Sequence, residues 1–142
     1  MTLVLDASVA LSWCLADEDD PLAELAMRLT LEHFAVVPRI WWYEILNGLT
    51  VNRRRERMNE DDVPATVADL KGMRILTDEE HSDGVILDLA LRRGLSVYDA
   101  AYLETALRRS LPLATLDGRL RRAGEAAGVT TLRRRDRPGR RG

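Results

Sequence analysis

The chain has 142 residues, enough for one compact domain with a substantial core and too few for two independent ones. Hydrophobic side chains make up 46% and charged ones 31%, a balance that excludes both a disordered chain and a membrane-embedded one, and no apolar run reaches the length of a bilayer span. The net charge of −2 hides an asymmetry: residues 133–142 carry six arginines against Asp136, so the remainder, with 15 basic and 22 acidic side chains, stands at −7.

Met1-Thr2-Leu3 runs straight into an apolar stretch with no basic segment or cleavage site, so a cytoplasmic protein with no membrane partner is expected. The first element is Leu3-Val4-Leu5, which stops on Asp6. A continuous aliphatic run suits a parallel strand covered on both faces, and in open α/β sheets ligands gather outside the carboxyl ends of such strands. Taken alone, Asp6 reads as the cap of a following helix. That helix is short, with Val9 and Trp13, and Ala10 and Cys14, at i,i+4 spacing. Cys14 has no second cysteine to pair with and lies beside Trp13, the setting of a small core hydrophobe rather than a nucleophile or ligand.

Asp17-Glu18-Asp19-Asp20 reads as a solvated loop whose last residue caps a helix with Pro21 at its first position. Leu22, Leu25, Ala26 and Leu29 share one face of that helix, which ends near His33. Neither His33 nor His81 has a second histidine or a cysteine close by in sequence, so neither is read as a ligand. Ala35-Val36-Val37 predicts a second buried strand broken by Pro38. The next helix pairs Trp41 with Ile45 and sets Trp42, Leu46 and Leu49 on a neighbouring stripe, material for a core or an interface. It carries Glu44 in its early turns, where the helix dipole alone would account for an acid. Arg53, Arg54, Arg55 and Arg57 cluster at its far end and suit RNA or solvent equally well. Lys71 is the only lysine; arginine's planar fork favours phosphate or carboxylate contacts, although genomic composition produces the same bias.

Glu60-Asp61-Asp62 opens a helix carrying Val63, Val67 and Leu70, weakened at Gly72. Arg74-Ile75-Leu76 is read as a short strand. Residues Glu79 to Arg93 are expected to be helical, with Ile86, Leu89 and Ala90 inward and Gly94 as the stop. Leu95-Ser96-Val97-Tyr98-Asp99 then leads into a helix with Ala100, Leu103 and Leu107 on its apolar face and Asp99 as a plausible cap. Leu113-Ala114-Thr115-Leu116-Asp117 repeats the opening pattern of apolar strand, hydroxyl and exit aspartate. A helix to about Ala127 and a final strand, Val129-Thr130-Thr131-Leu132, precede the arginine tail, whose lack of periodicity predicts a mobile segment. The expected organisation is one domain over 1–132 and a basic tail over 133–142.

Strands alternating with helices imply an α/β sandwich with a central, mostly parallel sheet, which gathers its strand ends. Asp6 and Asp117 each end a strand, Asp99 starts a helix, and Glu44 lies just inside the helix after the second strand. Ser8 and Thr115 add hydroxyls able to orient the carboxylates. Four crowded acids repel and hold protons unless a cation joins them, and all-oxygen ligation without His or Cys favours Mg²⁺ or Mn²⁺ over zinc. Such an ion polarises a phosphoryl oxygen and lowers the pKa of a bound water towards neutrality, so a phosphodiester can be hydrolysed without a protein nucleophile.

Asp6-Ala7-Ser8, Glu44 with Asn47 one turn on, Tyr98-Asp99-Ala100-Ala101-Tyr102 and Thr115-Leu116-Asp117 resemble, in order and spacing from residue 3 to about 132, the PIN-domain ribonucleases. The match is nearest to the small VapC-type toxins of bacterial toxin–antitoxin pairs. The resemblance implies a PIN-like three-layer sandwich and a Mg²⁺-dependent endoribonuclease, with Mn²⁺ as a substitute ion. It further implies a metal-binding and catalytic set of Asp6, Glu44, Asp99 and Asp117, supported by Ser8 and Thr115, a homodimer, and a small antitoxin laid across the active-site groove. Two rivals differ in class. One is a non-catalytic RNA- or protein-binding module of the same fold, which has no need of all four acids. The other is a phosphohydrolase resembling haloacid dehalogenases, whose Asp-x-Asp pattern is broken by Ser8. Neither a P-loop nor a Gly-x-Gly-x-x-Gly fingerprint is present.

Overall fold

Leu3–Leu5, three aliphatic residues with no exposed surface, form β1, an inner strand of a four-stranded parallel sheet in the computed structural model, which describes residues 1–15 and 18–133. The chain continues as α1 (Ala7–Trp13), α2 (Pro21–Glu32), β2 (Ala35–Pro38), α3 (Ile40–Arg54), α4 (Asp62–Lys71), β3 (Ile75–Asp78), α5 (Asp83–Arg93), α6 (Val97–Arg109), β4 (Leu113–Ala114) and α7 (Gly118–Ala126). The strand order is β3-β2-β1-β4 and every pairing is parallel, as the aliphatic runs and intervening helices require. From β1 the chain moves outward to β2 and β3, then returns to place β4 on the opposite side of β1. That reversal opens a crevice at the carboxyl ends of β1 and β4, where α/β sheets bind ligands. Register pairs Leu5 with Ala114, so the next residues, Asp6 and Thr115, leave the sheet side by side.

Helices cover both faces. α6 packs against β1, β2 and β4, α2 against β1 and β4, and α1 lies between α2 and α3. Trp41 is fully buried and meets Trp42 edge-on at 4.7 Å, so it belongs to the core. Trp13 is partly buried and donates its indole N–H to the Ala23 carbonyl at 2.8 Å. Cys14 donates to the Ala10 carbonyl at 3.2 Å and burial pushes its thiol up to about 11, consistent with an inert packing group. A Cβ on Gly48 would run into the Leu11 side chain, so the glycine lets α3 approach α1 closely, and Glu44 on α3 lines the same pocket as Asp6 at the end of β1. No helix among the described residues is long and apolar enough to cross a membrane.

Several elements differ from the sequence expectation. The strand expected at 74–76 runs from Ile75 to Asp78, and the helix expected from Glu79 starts at Asp83. The Asp78 carboxylate accepts from the Glu80 N–H at 2.9 Å, which holds the loop, and the Ser82 hydroxyl caps α5 by accepting from Val85 N–H at 3.3 Å. α6 is capped by Ser96 rather than Asp99, because the Ser96 hydroxyl accepts from Asp99 N–H at 3.0 Å. The apolar faces are narrower than the periodicity implied, since Leu46 and Leu107 are exposed. The final strand at 129–132 reduces to a single bridge between Leu113 and Thr131. β2 continues through Pro38, which pairs in register with Asp78. Asp17 and tail residues 134–142 lie outside the described residues.

Candidate active site

Asp6 occupies the cap position of α1, yet its side chain makes no capping bond. Its Oδ2 accepts instead from the Ser8 hydroxyl at 2.7 Å and the Thr115 hydroxyl at 2.6 Å. Those hydroxyls also accept backbone donors from the far strand end, Ser8 from Leu116 N–H at 3.1 Å and Thr115 from Asp117 N–H at 3.0 Å. The two side chains thus stitch the exits of β1 and β4 together around one carboxylate oxygen. Asp117 does cap a helix: its Oδ1 accepts from Arg119 N–H at 2.9 Å and Leu120 N–H at 3.4 Å, orienting it at the start of α7. Asp99 is the third residue of α6, and Glu44 lies in the second turn of α3.

All four acids line one pocket of about 320 Å³, together with Ala7, Ser8, Leu11, Asn47 and Gly48. The sequence-predicted acids therefore converge, and Thr115 supports them from beneath. Burial raises Asp6, only partly offset by the Thr115 and Ser8 hydroxyls, and the charges of Asp99 and Asp117 raise it further. Glu44 is raised by burial, against a hydrogen bond from Tyr102, and by the charges of Asp6 and Asp99. Asp99 is raised by burial and by Asp117, with partial relief from Ser96 and from the nearby guanidinium of Arg119. Burial first, and like charges second, produce this pattern, and an added cation would oppose both.

Among the described residues, no three His, Cys, Asp or Glu side chains stand close enough to form a ready-made metal cage. The donor chemistry still fits a hard divalent cation, because every acid in the pocket offers carboxylate oxygen and no His or Cys competes. Both internal bonds to Asp6 fall on Oδ2, and the bond to Glu44 falls on Oε1, so each keeps a second oxygen for a ligand.

Tyr102 was not singled out from the sequence as a site residue. Its hydroxyl donates to Glu44 Oε1 at 2.5 Å, and burial, followed by the charges of Asp6 and Glu44, raises its pKa so that it stays a donor. The signal that could have found it is its position one turn after Asp99, on the buried face of the same helix, since a buried tyrosine hydroxyl needs a partner. The histidines lie elsewhere; His81 contacts Asp83 at 2.8 Å on the surface. In the basic cluster, Arg57 bonds Glu18 at 3.0 Å and Arg53 lies 3.7 Å from Glu60, so part of it is neutralised. A second, mainly apolar groove of about 270 Å³ is lined by Ile40, Tyr43, Ile86, Val97, Tyr98 and Ala101 among others, with Tyr43 and Tyr98 next in sequence to Glu44 and Asp99.

A family model described as PIN domain matches residues 3–126. Ribonuclease VapC3 of Pyrobaculum aerophilum is 31% identical over 128 residues, covering 84% of this chain and 92% of that protein. Among solved structures, PAE2754 from the same organism superposes with a TM-score of 0.71 at 20% identity, over 92% of this chain and 89% of that one. The Mycobacterium tuberculosis toxin VapC20, described as cleaving the sarcin-ricin loop, gives a TM-score of 0.60 at 16% identity, over 92% and 98% of the two chains.

Proposed function

The chain belongs to the PIN-domain family, and from that membership we propose that it is the toxin of a toxin–antitoxin pair, a Mg²⁺-dependent endoribonuclease acting at the four-carboxylate pocket. The observation that carries the reading is the side chain of Asp6. A residue placed to cap a helix makes no bond to the helix amides and is held instead by two hydroxyls in a pocket with Glu44, Asp99 and Asp117. An acid kept only for helix stability has no use for that arrangement.

Asp6, Asp99 and Asp117, with Glu44 completing the set, would hold the ion, which when bound polarises a phosphoryl oxygen and makes a water acidic enough to attack near neutral pH. The chain's own residues do the rest. Glu44 orients the attacking water and accepts its proton. Ser8 and Thr115 keep Asp6 in one rotamer, and the first amides of α7 keep Asp117 in another. Arg119, whose guanidinium is tied to the Gly94 carbonyl near Asp99, offers a positive charge to the RNA backbone. The water oxygen bonds to phosphorus, the bond to the 3′ oxygen breaks, and that oxygen takes a proton from solvent and leaves as a 3′ hydroxyl opposite a 5′ phosphate. The apolar groove, with exposed Tyr43 and Tyr98, supports an antitoxin that crosses the site. Leu87 and Leu91, exposed one turn apart on α5, support a homodimer.

Controlled expression followed by sequencing of new 5′-phosphate RNA ends tests the activity. Discrete ends are expected with the native chain and not with Asp99→Asn; identical end profiles for the two would reject the nuclease reading.

The raised carboxylates give a second expectation. Their folded-state pKa values lie above the ordinary 3.8 of Asp and 4.5 of Glu, so the folded chain keeps protons that the unfolded chain has lost. The penalty is absent below those ordinary values, grows as pH rises from them to the raised ones, and is complete above. Mg²⁺ or Mn²⁺ should therefore stabilise the chain more at pH 7.5 than at pH 5, by about 1–3 kcal/mol at saturating ion. Thermal unfolding with the ion and with chelator measures it, and equal melting temperatures at pH 7.5 would count against an ion site.

A further inference from the structure

Tyr102 lies on α6 one turn after Asp99 and has no exposed surface. Its hydroxyl donates to Glu44 Oε1 at 2.5 Å, a bond that spans 58 positions and reaches from α6 to α3. That bond therefore joins two elements that each carry an acid of the pocket, α3 with Glu44 and α6 with Asp99. Two of the other acids have their own anchors, Asp6 in the Ser8 and Thr115 hydroxyls and Asp117 in the amides of α7. For Glu44, the one hydrogen-bond partner among the described side chains is Tyr102. Phenylalanine would fill the same space, so packing does not call for the hydroxyl.

We propose that Tyr102 is a positioning residue, whose hydroxyl fixes the Glu44 carboxylate by one oxygen and leaves the other directed to the ion and the attacking water. The assignment rests on the reading of the pocket as a divalent-cation site. Partners behind a metal ligand set its orientation, and their loss lowers metal affinity or activity by about 10- to 100-fold.

The test is a calorimetric Mn²⁺ titration of the purified full chain as native, Tyr102→Phe, Glu44→Ala and the double variant, with circular dichroism to verify folding. Tyr102→Phe should bind Mn²⁺ about 10- to 100-fold more weakly. On cleaving RNA, its kcat should fall while KM is unchanged. In the Glu44→Ala background the Tyr102→Phe effect on Mn²⁺ should vanish, because the carboxylate it acts through is gone. Native-like Mn²⁺ binding by Tyr102→Phe overturns the assignment, and so does an equal loss in both backgrounds, which is the mark of general structural damage. If Tyr102→Phe does not fold, Glu44→Asp replaces it, keeping the charge but withdrawing it from Tyr102; undiminished Mn²⁺ affinity there overturns the assignment. A native chain that binds no Mn²⁺ removes the cation-site reading and this assignment with it, whereas a binding native chain with an unaffected variant removes the assignment alone.

Discussion

Asp6→Asn is expected to cut RNA cleavage by the purified, Mg²⁺-supplied chain by about 10²- to 10³-fold or more, the scale on which one preorganised charge-stabilising group acts. Asparagine keeps the volume, and its carbonyl oxygen can still accept from Ser8 and Thr115, so the join between the ends of β1 and β4 survives. What disappears is the charge. Because burial and the charges of Asp99 and Asp117 act against that charge, the ion-free variant should melt no lower than the native chain. Loss of cleavage with an unchanged or higher melting temperature is the expected pair of results. Full activity would remove Asp6 from the mechanism.

The largest effect on stability is expected away from the pocket. The side chains of Asp78 and Glu104 are only 2% and 1% exposed, and Arg108 joins them, 2.6 Å from Glu104 Oε1 and 2.9 Å from Asp78 Oδ2. Arg108 also donates to the Glu80 carbonyl at 2.9 Å, and Arg109 meets Asp78 at 2.6 Å. Arg108→Met retains the apolar stem but leaves Glu104 buried with one described donor, the Ser82 N–H at 3.1 Å. Removing one partner of a buried ion pair costs about 3–5 kcal/mol. For a chain of this length that lowers Tm by roughly 10 °C. Urea unfolding measures the loss, and a change below about 1 kcal/mol would mean that the network holds nothing together. Burial alone would raise Asp78, but hydrogen bonds from Arg109, the Glu80 N–H and Arg108 outweigh it and hold its pKa below 3.8. This contribution is complete at neutral pH and is lost as pH falls through the lowered value, opposite in sign to that of the pocket acids.

Asp78 also marks the limit of what the residues alone could tell. An aspartate at a strand end was the feature that drew attention to Asp6 and Asp117, and Asp78 satisfies it at the end of β3. Its partners, Arg108 and Arg109, are some 30 positions away, and no local pattern distinguishes an acid neutralised by distant arginines from one left facing a pocket. The parallel sheet and helix order were legible because unbroken aliphatic runs and helical spacings are local. The start of α6 was legible too and was misassigned: Ser96-x-x-Asp99 is a capping-box signature, with the hydroxyl rather than the acid as cap. The convergence of Asp6, Glu44, Asp99 and Asp117 was readable only as an ordered set, because each acid alone fits a helix-end role. The Tyr102 contact to Glu44 spans 58 positions and depends on how α6 meets α3, which no spacing rule supplies.

The bond between Thr115 and Asp6 joins residues 109 positions apart, across the pairing of β1 with β4. Synthesis adds residues in order, at about 5–20 per second. Three of the four pocket acids, and every element through α6, therefore leave the ribosome before the Thr115–Asp117 segment that orients Asp6 and contributes the fourth. A growing chain can fold most of its helices while its pocket is still missing one wall. The cut that the protein is proposed to make thus becomes available only once the Thr115–Asp117 segment has been made, a delay written into the strand order.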